Sequence, residues 1–418
     1  MDEHHLLPAC QSGFRKFHST ETAVIKVYND IVIASDTGRL TALVMLDYSA
    51  AFDTVNHGIL LDILQVSFGL SGAVLAWVSS YLSGRTQAIH TSSSSSDTFT
   101  LFFGVPQGGV LGPLFYIIYT ADIITIFEKH GFLVHLYADG SQVYIHFVLK
   151  DVKAILDATE RCIQDVLDWS CSRRLKLQGA KTEFIIIDRA GLLSAEEDFI
   201  IQVDGVDIRT VSTVRDLGVL LDSRFNMKKH ISNVSKACFY HLRRLRQVRS
   251  CLNEDSAKTV AVALVLSRID YCNAILAGLP ETTLQPLTRV LHTAARTVLK
   301  LSRKDHITPA LRSLHWLPVK ERVKFKLCLM MHNIVNSHSS SYLTDMVTPC
   351  SELHGSRQLR SASNLTFAVR RTKLKFGERA FSVAGPNAWN SLPVDICLLN
   401  NTNSLKKKLK TLLFKTIL

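Results

Sequence analysis

The chain has 418 residues, 47% of them apolar and 20% charged, which is enough for a buried core and, at roughly 100–200 residues per domain, for two or three units rather than a disordered whole. Its net charge of +12 is uneven: the first 150 residues carry 7 Lys and Arg against 12 Asp and Glu, the remainder 41 against 24. An acidic front suits cations and a basic back half suits polyanions, although solvation alone also produces such an imbalance.

The N-terminus, Met-Asp-Glu-His-His, lacks the basic-then-apolar order of a signal peptide. A loop and a helix follow to residue 38, with Val24, Val27, Tyr28 and Ile31 at helical spacing. Leu40 to Leu46 is an apolar run of strand length that stops at Asp47, and helical pattern then extends to about Leu82 before the polar loop Ser92 to Ser96. The most apolar stretch, Val110 to Phe127, is interrupted by Gly112, Pro113 and Asp122, so no transmembrane segment is expected. Leu133 to Phe147 reads as strand, turn, strand, with Asp139-Gly140 as the type I′ dipeptide.

A helix over 151–171, a strand at Thr182 to Ile187 and a hairpin turning at Asp204-Gly205 complete an α+β pattern. After Asp222 the periodicity is helical to about Asn336, broken near Gly278-Leu-Pro280. Met227, Ile231, Val234, Cys238, Leu242, Leu245 and Val248 form one apolar stripe, and Lys228, Lys229, Lys236, Arg243, Arg244, Arg246 and Arg249 take the other faces. The Ser-, Asn- and Arg-rich tail from 346 reads as loosely structured, ending in a basic helix around Lys406 to Lys410. The nine cysteines are scattered and never spaced Cys-x-x-Cys, which speaks for reduced thiols and against a disulfide scaffold or zinc ribbon. The expected location is intracellular, nuclear or cytoplasmic, without a membrane.

Three segments carry the chemistry: Leu46-Asp-Tyr-Ser-Ala-Ala-Phe-Asp53, Gly104-Val-Pro-Gln-Gly-Gly-Val-Leu-Gly-Pro113 and Tyr137-Ala-Asp-Gly140. Singly, each reads as a strand-end cap, a loop or a hairpin turn. In this order, neighbouring strands can set Asp47 and Asp139 side by side, where two carboxylates raise each other's pKa unless a cation lies between them. Oxygen ligands at a strand edge suit Mg²⁺.

These segments resemble the reverse transcriptase of non-LTR (LINE-type, jockey-like) retrotransposons, and the likeness extends over Gln11 to Ala23, Leu175 to Glu183, Leu217 to Asp222, Phe376 to Ala384 and Asn387 to Pro393. The resemblance implies a right-hand polymerase palm, an antiparallel sheet with packed helices, followed by a helical thumb and a C-terminal helical tail. Its segments would be a fingers–palm remnant at 1–38, palm at 39–225, thumb at 226–345 and a basic C-terminal region at 346–418. It implies two-metal phosphoryl transfer, with Mg²⁺ on Asp47 and Asp139 and Lys181 near the triphosphate. Phe52 would select deoxynucleotides, Gln107, Gly108 and Tyr137 would contact the nucleotide, and Leu217 to Leu221 would hold the primer end. Lys228, Lys229, Lys236, Arg243 and Arg244 would follow a duplex backbone, with RNA template, DNA primer and deoxynucleoside triphosphates as partners. Arg15 is a weaker phosphate candidate. A core aromatic at Phe52, a solvated Lys181 and a merely solvated basic face are the plain alternatives.

Two departures from the family pattern bear on activity. Gly140 stands where the family has the second Asp of Tyr-Ala-Asp-Asp, and Gly109 replaces a serine. The match also begins about where the fingers are complete, so the basic residues that close on the triphosphate and an upstream endonuclease are expected to be missing. The sequence therefore implies an RNA-directed DNA polymerase with impaired catalysis or, as the alternative, a non-catalytic nucleic-acid-binding remnant or repurposed scaffold.

Overall fold

The computed structural model describes residues 6–194, 198–352 and 365–417. It is α+β, and its contacts divide it into two compact units. Unit 1 comprises residues 1–19, 40–187 and 191–214; unit 2 comprises 20–39, 188–190 and 215–418.

Unit 1 is built on strands β1 (Leu40–Leu46), β2 (Tyr48–Ser49), β3 (Thr86–Gln87), β4 (Phe99–Thr100), β5 (Leu133–Tyr137), β6 (Gly140–Phe147), β7 (Lys176–Leu177), β8 (Glu183–Ile187), β9 (Ile200–Val203) and β10 (Val206–Arg209). Four of them form an antiparallel sheet in the order β5-β6-β1-β8. β1 is central, and Thr41 and Leu43 are as deeply buried as Leu40, Ala42 and Val44 on its other face. Burial on both faces explains a continuous apolar run in place of alternation. Val44, Val143, Phe184 and Ile186 share one core with Cys162, Ile163 and Val166 of the helix Val152–Ser172 and with Phe115 to Tyr119 of the helix Leu111–Tyr119. The stretch Leu111–Lys129 has the length and composition of a membrane span, but half of it is buried in the fold, as in a core helix.

In unit 2 the helix Thr20–Asp36 packs with segments far along the chain. Tyr342 Oη donates to Thr22 Oγ1 at 2.8 Å, Ser382 N donates to Asn29 Oδ1 at 3.0 Å, and the Asp36 carboxylate accepts from Lys373 N and Leu374 N at 2.9 and 2.7 Å. Residues 20–36 thus share a unit with the C-terminal region. The expectation of a loosely structured tail is corrected for 365–417, which contains the helices Phe381–Asn390 and Thr402–Ile417 and a Trp389 with 0% exposure. The Ser- and Arg-rich part at 353–364 lies outside the described residues.

The helix Lys228–Val248 follows the expected stripe as far as Leu245. At its end the prediction slips: Val248 is half exposed and Arg249 is buried. The Arg249 guanidinium turns inward to donate to the carbonyls of Thr297, Val298 and Leu252. Those of Thr297 and Val298 close the helix Glu281–Leu299, where the last carbonyls lack helical partners.

Candidate active site

Leu46, the last residue of β1, pairs with Ser141 of β6, and Tyr137 of β5 pairs with Gly140 of β6. That register sets Asp47, just past β1, beside the β5–β6 turn that carries Asp139. The sheet thus brings two carboxylates together that are far apart in sequence, and Lys181 joins them with Nζ 3.4 Å from Asp47 Oδ2. Lys181 is held there by the chain around it: β7 pairs with β2, and Gln178 N donates to the Asp47 carbonyl at 3.0 Å. The ion pair itself is too exposed to contribute much stability.

Burial, with the Asp47 charge adding to it, raises the Asp139 carboxyl above the usual range, against the opposing pull of a hydrogen bond to its own backbone and of the Lys181 ammonium. The site is short of positive charge, which a hard divalent cation with oxygen ligands would supply. Among the described residues no three or more His, Cys, Asp or Glu side chains gather as a ligand set, so the acids here number two.

The turn is not the one the dipeptide Asp139-Gly140 predicts. Because Tyr137 pairs with Gly140, the central residues are Ala138 and Asp139, and Ala138 takes the left-handed conformation at φ +55°. An L-residue there costs roughly 1–2 kcal/mol, offset by a clamp from the N-terminal segment. Gln11 Oε1 accepts from Ala138 N at 3.2 Å and from Gly13 N at 2.7 Å. Ser12 N donates to Leu136 O at 2.8 Å, and a Cβ on Gly13 would lie 2.4 Å from Ala138 N, so only glycine lets the two chains approach. Gln11 and Gly13 are positioning residues that pattern reading missed, since their target is 127 residues away for Gln11.

Three observations now stand together: an antiparallel sheet, two acids at adjacent strand ends and a lysine beside them. A family model for reverse transcriptase (RNA-dependent DNA polymerase) matches residues 1–221, more than half of the chain. The chain belongs to the reverse transcriptase family. The curated proteins it is similar to come from mobile elements. They include the probable RNA-directed DNA polymerase from transposon BS of Drosophila melanogaster, 28% identical over 270 residues, which are 62% of this chain and 28% of that protein. The RNA-directed DNA polymerase from mobile element jockey of Drosophila melanogaster is 28% identical over 241 residues, 55% of this chain and 25% of that protein. The chain spans about a quarter of the length of these curated relatives. Among solved structures, apo telomerase from Candida tropicalis aligns with TM-score 0.40 at 12% identity over 81% of this chain and 56% of that chain, too loose a likeness to bear on the fold.

The remaining candidate residues differ in their surroundings. Phe52 is half-buried and stacks on Tyr116 with centroids 4.6 Å apart, with Phe14 edge-on at 6.2 Å. Tyr116, also missed in the sequence, is buried, and its hydroxyl senses both carboxylates: burial first, then Tyr48, Asp139 and Asp47, hold it well above the ordinary phenol range and therefore neutral. The sequence carries no separate signal for it, because a tyrosine in the apolar helix Leu111–Tyr119 reads as core. Tyr137 is half-buried at the end of β5.

The glycine loop is stitched to the Asp47 segment. Gly104 N donates to Val55 O at 2.8 Å, Val105 N to Phe52 O at 2.9 Å, and His57 Nε2 lies 2.8 Å from Gly104 O. Gln107 is exposed and spends its amide on Asp53, donating to Oδ1 at 2.8 Å, while Gly108 is open at φ +80°. Arg15 is inward-turned, donating to Pro8 O and Gln11 O at 2.7 and 3.0 Å. In unit 2, Lys228, Lys229, Lys236, Arg243 and Arg244 are all exposed on one helix, with Phe239 and Tyr240 exposed among them.

Proposed function

We propose that unit 1 carries the palm of an RNA-directed DNA polymerase that adds deoxynucleoside triphosphates to a DNA primer on an RNA template, with weakened catalysis. The observation that supports this most is the meeting of Asp47, Asp139 and Lys181 at one end of the sheet's strands. Bound between Asp47 and Asp139, Mg²⁺ would neutralise phosphate charge and lower the pKa of the primer 3′-hydroxyl. The chain's own residues do the rest. Gln11 and Gly13 fix the Asp139 turn, Lys181 offers a mobile cation to the triphosphate, and Phe52, braced by Tyr116, limits space beside the sugar. Gln107, Gly108 and Tyr137 border the nucleotide, with Gln107 leaving Asp53 to do so.

Primer extension on an RNA template with Mg²⁺ tests this reading. Slow extension by the natural chain, reduced a further ~10²-fold or more in Asp139→Asn, is the expected result; equal extension by both would refute it. The absence of a third carboxylate favours a second reading, a nucleic-acid-binding protein without catalysis, in which neither extends.

The helix Lys228–Val248 and those that follow it serve as thumb in this proposal. Its cations would neutralise backbone phosphates, so binding to primer–template falls with salt at a slope near −0.9 per phosphate contacted. Reversing Lys236, Arg243 and Arg244 to Glu is expected to flatten that slope by about 2–3 in filter binding, for any template sequence. An unchanged slope would mean that the face is merely solvated.

A further inference from the structure

The strands Thr213–Asp216 and Val219–Asp222 pair around the two-residue turn Leu217-Gly218, in which both residues have positive φ, 43° and 89°. That is the requirement of a type I′ turn, whose first central position favours Asn, Asp or Gly. Leucine is poorly suited there, because its Cβ is crowded in the left-handed region. The turn is held from outside, and the holder is Tyr271, 54 residues further along the chain.

The Tyr271 hydroxyl donates to the Leu217 carbonyl at 2.6 Å. Its ring lies against Gly218, where an added Cβ would meet ring carbon Cε1 at 3.3 Å and the hydroxyl oxygen at 3.5 Å. Tyr271 stands where the π-helical turn Val262–Leu266 and the short helix Ser267–Asp270 end, with its own backbone extended at φ −68° and ψ 118°. Leu217 is partly buried, whereas Gly218 is exposed.

One peptide unit joins the two turn residues, and a trans peptide is planar with its C=O and N–H on opposite edges. Fixing the Leu217 carbonyl on Tyr271 therefore aims the Gly218 N–H away from the tyrosine. Glycine adds no side chain to obstruct an approach from that side. A backbone N–H preset in direction and open to close approach suits a phosphate oxygen of a nucleic-acid strand.

We infer, on the reading of Leu217 to Leu221 as the segment that holds the primer end, that the Gly218 N–H donates to the last phosphate of the primer strand and that Tyr271 is the positioning residue that orients it. No base edge takes part, so the contact serves any primer sequence.

The test is equilibrium binding of the full chain to a dye-labelled DNA primer–RNA template without nucleotides, followed by fluorescence anisotropy. Replacing the last primer phosphate by an uncharged methylphosphonate is expected to weaken binding by the natural chain ~10-fold. Tyr271→Phe should weaken binding of the unmodified primer by ~5-fold or more, and the methylphosphonate should cost that variant no more than ~2-fold further, since both changes remove one interaction. Tyr342→Phe deletes a hydroxyl bond to Thr22 in the same unit. It should lower the melting temperature yet keep the full methylphosphonate penalty, which separates positioning from general loosening. Losses that simply add in Tyr271→Phe, or a natural chain that binds primer–template with indifference to the last phosphate, would overturn the proposal. No binding of primer–template by the natural chain would overturn the reading of the primer segment along with it.

Discussion

Replacing Gly140 by Asp is expected to raise primer extension on an RNA template by ~10²–10³-fold over the natural chain, the range associated with one lost electrostatic group at a reacting centre. The geometry admits the change. Gly140 is the first residue of β6 rather than part of the turn, its φ is not in the left-handed range, and an added Cβ would meet only Tyr137 O at 3.5 Å, an ordinary contact. The variant should therefore fold as the parent does, and its melting temperature checks that point. The new carboxylate would join an acid pair in which Asp139 is already raised by burial and by Asp47. The gain should consequently depend on Mg²⁺, because three acids in so small a space ionise together only when cations are present. Rapid extension by the natural chain would contradict the account. Failure of both chains would mean that the site lacks more than this carboxylate.

The second large effect concerns stability. Strands β11 (Thr213–Asp216) and β12 (Val219–Asp222) form a hairpin around Leu217 and Gly218, both at positive φ. Asp216 is completely buried, neither of its carboxyl oxygens has a hydrogen-bond partner, and burial pushes its pKa up to about 7. The folded state thus holds a proton that the unfolded chain, at 3.8, releases. Stability from the protonated acid is complete below about pH 4 and is lost as pH rises to about 7, on the order of 4 kcal/mol in all.

His230 opposes this trend. It accepts from Leu220 N at 3.3 Å and is held neutral by burial, with a pKa near 4, so its contribution is lost as pH falls from 6.5 toward 4. The decisive quantity is therefore the difference between two melting curves. Asp216→Asn should gain about 5–10 °C on the natural chain at pH 8 relative to pH 5. Parallel curves would show that Asp216 has a partner for its charge.

Much of unit 1 was legible because its strands are short apolar runs ended by chemistry-bearing residues. Leu40–Leu46 stops at Asp47, and the β5–β6 and β9–β10 pairs carry turn residues between them. The identity of the turn was not legible. Asp139-Gly140 is the better local dipeptide, but Gln11 and Gly13 grip Ala138 from a distant segment and move the bend back one residue. Tertiary contact overrode local propensity there, as it did at Arg249, whose partners belong to another helix. Likewise no periodicity in Thr20–Asp36 announces that Asn29 and Asp36 bind backbone amides of the C-terminal region. Tyr116 was hidden for the opposite reason: in an apolar helix a tyrosine reads as core, and only the sheet reveals the two carboxylates that raise its pKa.

The central claim is that Asp47 and Asp139 share one divalent cation, and it can be tested without any turnover. Titrating the full chain with Mn²⁺ and following the free ion by electron paramagnetic resonance should reveal saturable binding that Mg²⁺ displaces. Asp47→Asn and Asp139→Asn should each weaken that binding by ~10-fold or more. Binding that survives both substitutions unchanged, or no binding at all, would contradict the account.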